Sequence, residues 1–227
     1  MTEATEAPAA CPPGRRRLAL FPLRAVLFPG GLLMLRVFEA RYLDLVARCL
    51  KQGEDFGVVC LVQGGEVRHR AEARERETRQ TQEAPVRFEA VGVRARIDAV
   101  DAPQAGLLSV RCIGQQRFAL EGEAAQAADG LWTACVRELE PDPPCVPAPE
   151  MLGTVKALAA AIATLRERGE LPFVAPLRLD DAGWVANRWC ELLPTPLAAR
   201  QRLMVLPDPR ERLSLVDAYL RDKQVVR

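Results

Sequence analysis

Two hydrophobic rhythms divide the chain. Up to about residue 140, apolar residues come in short runs or at every second position; from Glu150 onward they recur every three to four residues. The first rhythm predicts strands and the second helices. The opening stretch, 18–46, carries two Phe-Pro pairs, Phe21-Pro22 and Phe28-Pro29, the latter followed by Gly30-Gly31. Each proline lacks a backbone N–H and holds φ fixed, so it punctuates strands instead of sitting inside a central one. The pattern predicts a short strand, a turn, a second short piece, a Pro-Gly-Gly turn and a strand over about 32–38. A helix follows, because Tyr42, Leu45, Val46, Cys49 and Leu50 lie at i, i+3, i+4, i+7 and i+8, with Gly53 as its stop. Further strands are predicted at 56–62, 86–100, 107–114, 117–120 and 131–139, with a turn over 101–106.

Between the strands predicted at 56–62 and 86–100, residues 66–83 (EVRHRAEARERETRQTQE) hold no aliphatic beyond Val67 and alanine, and predict a long solvated excursion. Prolines 141, 143, 144, 147 and 149 then form a stiff, extended linker. Beyond it, Met151, Val155, Leu158, Ile162 and Leu165 mark one helix; Trp184, Val185, Trp189 and Leu192 mark a second. Thr195-Pro196 reads as a cap followed by a helical proline, and Asp208-Pro209-x-Glu211 repeats that logic before Leu213, Val216 and Leu220. The expected layout is a flexible tail over 1–16, a strand-rich subdomain over 17–140, a linker over 141–149 and a helical subdomain over 150–227. Strands first and helices second is an α+β arrangement.

Composition changes this picture little. An apolar fraction of 49% is ample for a core, and a net charge of +1 draws the chain to neither nucleic acid nor membrane. Prolines 22 and 29, Arg24 and two glycines interrupt the one long apolar stretch, which argues against a spanning helix. No basic segment precedes an apolar one at the N-terminus, so the expected compartment is the cytoplasm. Seven cysteines without a C-x-x-C pair imply neither a disulfide framework nor a zinc site; Cys49, Cys60, Cys112 and Cys190 sit within apolar patterns.

Candidate chemistry is sparse. Ser109 and Ser214 are the only serines, and neither occupies a G-x-S-x-G elbow. No G-x-x-x-x-G-K-[ST] loop is present to cradle phosphates. His69, the sole histidine, lacks the company of further ligands, so no metal and no cofactor is expected. Asp180-Asp181 precedes a helix, where capping is the expected work of an acid. Arg68 and Arg70 belong to an arm whose charges alternate in sign and which has no aromatic to stack a base, a poor footprint for nucleic acid. Trp184 and Trp189 are five residues apart, about 140° around a helix. One can therefore pack in the core while the other lines a groove between the two halves. Trp184, Trp189, Arg68 and Arg70 are the candidate binding residues.

Phe21-Pro22-Leu23-Arg24, Val26-Leu27-Phe28-Pro29-Gly30 and Phe38-Glu39-x-Arg41-Tyr42 resemble the opening of the Lon N-terminal domain family. The likeness continues through Phe56-Gly57-Val58-Val59, the run from Val91 to Ile97, the G-x-x-R-F piece from Gly114 to Arg117-Phe118, and pieces at Trp184, Leu192-Leu193-Pro194 and Gln201–Met204. It departs at Met34 and Ala40, where the family often has proline. The resemblance implies a PUA-like β-barrel, a pseudo-barrel, followed by a C-terminal helical bundle. It also implies a stand-alone form of the domain, without ATPase or protease parts and without catalysis. Polypeptide segments would be its clients, unfolded or degradation-related, with proteolytic machinery as a partner class. The alternative is an RNA-binding protein of PUA-like kind. Of the family-signature residues, Phe28, Pro29, Glu39, Arg41, Tyr42, Arg117 and Phe118 are expected to be structural: phenylalanine packs and arginine tethers.

Overall fold

The computed structural model describes residues 11–63, 86–170 and 172–226. Seven strands and five α-helices follow in chain order within that range: β1 (Arg16–Leu23), β2 (Leu32–Val37), α1 (Ala40–Gln52), β3 (Phe56–Gln63), β4 (Arg87–Phe88), β5 (Val91–Gln104), β6 (Leu107–Gln126), β7 (Trp132–Glu138), α2 (Leu152–Glu167), α3 (Ala182–Leu192), α4 (Leu197–Val205) and α5 (Pro209–Asp222). Of the predicted tail over 1–16, residues 1–10 lie outside the described residues, as does the arm over 66–83.

β1 closes the sheet. It pairs antiparallel with β7 and parallel with β3, so the path β1–β7–β6–β5–β3 returns to its start. Closure removes the open edges that an unpaired ladder would present. The β7 pairing ends at Leu20, so Pro22 sits where β1 has only β3 as neighbour and its missing N–H breaks no two-sided ladder. β1 and β3 are apolar on both faces. Leu18, Leu20 and Val59 join Phe118, Ala134 and Val136 in one cluster, while Phe21, Phe56 and Val58 join the helices in a larger one. Gly57 and Gly92 make the close approach of Phe118 possible: a Cβ at either would stand 2.7 or 2.6 Å from its Cζ. The larger cluster runs without a break from the ring to Leu158, Val185, Leu213 and Leu220 of the helices.

Several predicted boundaries shift. The expected strand over 86–100 is two, β4 and β5, and the strands at 107–114 and 117–120 are one twenty-residue β6. The sequence shows a break there because β6 carries an irregularity. Arg94 of β5 stands opposite both Gln115 and Gln116, between the pairs Val93–Arg117 and Ala95–Gly114. β6 bends at this bulge and serves two partners, β2 over its first half and β7 over its second. α1 buries Tyr42, Leu45, Val46 and Cys49 and ends at Gly53 with φ 69°. Leu50 is exposed, because eight residues carry it about 80° off the stripe. Asp181 caps α3 and Asp208 caps α5, whereas α4 begins after Pro196 with no side-chain cap from Thr195.

The cysteine expectation needs one correction. Cys11 and Cys135 form a disulfide, their Cα atoms 5.6 Å apart. A turn in which Arg15 N donates to Pro12 O folds residues 11–14 back toward β7, whose pairing with β1 sets Arg17 opposite Cys135. At a sequence separation of 124, nothing local in the sequence announces the bond. Cys49, Cys60, Cys112 and Cys190 are buried free thiols.

Candidate functional site

Glu39, Arg41 and Tyr42 lock the start of α1 to the sheet. Arg41 Nη2 pairs with Glu39 Oε2 at 2.7 Å and its Nη1 donates to Gly130 O at 2.9 Å, at the turn between β6 and β7. The same guanidinium lies 4.6 Å from the centre of the Tyr42 ring, which stacks on Phe21 at 4.0 Å. These residues fasten one element to another.

A second lock joins the sheet to the C-terminal helices. Arg117, 5% exposed, donates Nη1 to Met204 O and Leu206 O, both at 3.1 Å, and Nη2 to Asp142 Oδ1 at 2.6 Å. Arg212, 1% exposed, reaches the same carboxylate from α5 with Nη1 to Oδ2 at 2.5 Å and Nη2 to Oδ1 at 3.3 Å. It also donates to Leu203 O, Leu206 O and Asn187 Oδ1. One carboxylate thus serves two buried guanidiniums, which also donate to main-chain carbonyls and, from Arg212, to the Asn187 amide oxygen. Burial pulls the Arg117 pKa down and Asp142 opposes it.

A third lock is Arg188 of α3, fully buried. Its Nη1 donates to Gly30 O at 2.5 Å, and its Nη2 to Pro29 O and Glu191 Oε1, both at 2.9 Å. Phe173 and Trp184 present their ring faces to it at 5.6 and 5.7 Å. Arg188 therefore pins the Pro-Gly-Gly turn against α3. Burial pushes the Glu191 carboxyl up to about 7 against the pull of Arg188 and Arg200.

These locks leave a cleft of about 330 Å³ where the ring meets α3. One wall is the Pro29-Gly30 turn with the bulged part of β6, Gly114 to Arg117; the other is the first turns of α3, with Gly183, Trp184 and Asn187. Arg94, Asp142, Arg178 and Asp181 complete the rim. Among the described residues, each cation of the wall is paired: Arg94 with Asp55 at 2.6 Å and Glu138 at 3.2 Å, Arg117 with Asp142, and Arg178 with Asp181. Each of these cations thus has a carboxylate partner, although Arg117 shares Asp142 with Arg212, and between them the wall offers apolar surface and neutral hydrogen-bonding groups. Among the described residues, no group of three or more His, Cys, Asp or Glu could hold a metal, and no helix is long and apolar enough to cross a membrane.

The sequence-predicted residues fall as follows. Trp184 lines the cleft, whereas Trp189, 5% exposed, donates Nε1 to Thr154 O at 3.1 Å within the core. Phe28 is fully buried and Phe118 is the ring cluster's aromatic. Pro29 and Arg117 reach the cleft wall. Arg68, Arg70 and His69 lie outside the described residues. Sequence reasoning passed over Gln115, Gln116, Asp142, Asn187, Arg188 and Arg212. A signal existed for two of them. Arg188 stands one helical turn from Trp184, and Arg212 one turn from Val216, each on an apolar stripe where an unpaired charge is not tolerated.

A ring-like sheet with helices packed over it and a cleft at the join make this a mixed helix-and-sheet domain. Comparison supplies the family: the model of the ATP-dependent protease La (LON) substrate-binding domain matches residues 17–222, and the chain belongs to that family. Among solved structures, it is similar to a Lon N-terminal domain protein from Xanthomonas campestris, at 33% identity and a TM-score of 0.64, over 90% of this chain and 98% of that one. It also shares its fold with the N-terminal domain of a Mycobacterium avium complex Lon protease, at 15% identity and a TM-score of 0.58, over 91% and 99% of the two chains. No curated protein is a match.

Proposed function

We propose that this chain is a non-catalytic module that holds polypeptide segments, unfolded or degradation-related, in the cleft between the ring and α3. The family is a substrate-binding one, which supports the class of function. The observation that carries the choice of polypeptide is the cleft itself: it is preformed, walled by Trp184, and its described cations are each held in ion pairs. A phosphate backbone needs unpaired cations, and the cation partners there are already taken. The pairing of β1 with both β7 and β3 supports reading the ring as a PUA-like pseudo-barrel over 17–140, joined by the proline-rich stretch 141–149 to a helical bundle over 150–227. A cytoplasmic setting and a connection to proteolytic machinery accompany this reading.

The test is fluorescence anisotropy of a labelled, reduced and carboxymethylated unfolded protein titrated with the chain, alongside a labelled structured RNA. Saturable binding of the polypeptide is expected, changing little between 50 and 200 mM salt. Trp184→Phe should weaken it several-fold while the protein stays folded. RNA binding that falls steeply with salt, with none to the polypeptide, would overturn the reading.

A further inference from the structure

The cleft wall holds three side-chain amides, and each is half used. Asn187, 4% exposed, accepts from Arg212 Nη1 at 3.1 Å through Oδ1. A guanidinium only donates, so the oxygen must face Arg212 and the Nδ2 amine takes the other side. Gln115 and Gln116 are reversed. Each donates Nε2 to a main-chain carbonyl, Ile113 O at 3.1 Å and Leu139 O at 2.6 Å, which leaves Oε1 as the outward atom. Among the described residues, Asn187 Nδ2 and the two Oε1 atoms make no bond, and none of them is sealed from solvent. Neighbours on a regular strand point to opposite faces; the bulge opposite Arg94 is what brings both glutamines to one cleft.

One neutral donor and two neutral acceptors suit a ligand that offers both in turn. A carboxylate or phosphate, which only accepts, would meet the glutamine oxygens unfavourably. A peptide group presents one N–H and one C=O.

Resting on the polypeptide reading above, we infer that the cleft recognises the main chain of an extended client: Asn187 Nδ2 donates to a peptide carbonyl, Gln115 and Gln116 Oε1 accept peptide N–H groups, and Trp184 supplies an apolar wall. Recognition of this kind tolerates many client sequences, because the groups it reads are common to all of them.

The experiment uses the full chain and two probes: the labelled, carboxymethylated unfolded protein, and a fluorescent ten-residue Leu/Ser/Ala peptide paired with its backbone N-methylated counterpart. Asn187→Asp keeps an oxygen for Arg212 but replaces the donor, and Gln115→Ala/Gln116→Ala removes both acceptors; melting curves check that each variant is folded. Each change is expected to weaken binding of the unfolded protein about tenfold, and N-methylation to weaken the peptide by at least as much. If the wild type ignores the unfolded protein, the polypeptide reading falls and this inference with it. If the wild type binds it while folded variants bind equally well, or the N-methylated peptide binds as tightly as its parent, only the main-chain inference falls.

Discussion

Replacing Asp142 by alanine isolates the lock between sheet and helices. The carboxylate is 17% exposed and lies 2.6 Å from Arg117 and 2.5 Å from Arg212, which are 5% and 1% exposed. Removing one partner of a buried pair costs about 3–5 kcal/mol, chiefly because the other charge is left uncompensated. Here two guanidiniums lose their counter-charge at once and repel one another. Against that, both keep carbonyl acceptors, at Met204 and Leu206 for Arg117 and at Leu203 and Leu206 for Arg212. These opposing effects hold the expectation at about 3–5 kcal/mol. For a chain of this size that is a fall in Tm of about 6–20 °C. Urea unfolding followed by tryptophan fluorescence should show it, and a cycle with Arg212→Met should show a coupling of about 1–3 kcal/mol. A loss below about 1 kcal/mol, or additivity of the two changes within about 0.5 kcal/mol, would refute the idea that Asp142 ties the two elements together.

Two further outcomes can be measured. The Glu191 carboxyl holds its proton up to about 7 when folded, against an ordinary 4.5, so its contribution to stability is greatest below about 4.5 and declines as pH rises toward 7. The decline is at most about 3 kcal/mol, the free-energy equivalent of a rise from 4.5 to about 7. Urea midpoints between pH 5 and 8 should fall more steeply for the wild type than for Glu191→Gln; parallel profiles would remove the argument. Among the thiols, burial pushes Cys49 to about 11 and Cys112 and Cys190 to about 12, and raises Cys60 as well. The native protein should therefore expose only Cys145 to a thiol reagent; reduction should add Cys11 and Cys135, and denaturant the remaining four. Opening the disulfide releases a loop of 124 residues, a loss of about 5 kcal/mol in the chain-entropy model, so the reduced protein should melt lower. Rapid labelling of a fourth thiol in the folded, reduced protein would contradict the burial.

Features governed by near neighbours were legible without coordinates. The apolar stripe of α1 and its Gly53 stop, the capping by Asp181 and Asp208, and the strand-to-helix order all depend on spacings of a few residues. The partners of Phe118 and Arg117, the ring cluster for one and Met204, Leu206 and Asp142 for the other, lie far along the chain and no local pattern names them. The bulge in β6 was hidden because an irregular pair and a strand break look alike in one dimension. Asp142, in a stretch that reads as linker, gave no sign that two buried arginines converge on it.

Sequence alone determined the apolar face and Gly53 stop of α1, the capping of α3 and α5 by Asp181 and Asp208, and which family pattern the chain follows, since periodicity and capping are local physics. Tertiary structure alone decided that Cys11 meets Cys135, that Arg188 grips the Pro29-Gly30 turn, and that three half-satisfied amides face one cleft. Those outcomes depend on register and ring closure, which bring together groups far apart along the chain, and hydrogen bonds are settled only by where atoms finally lie.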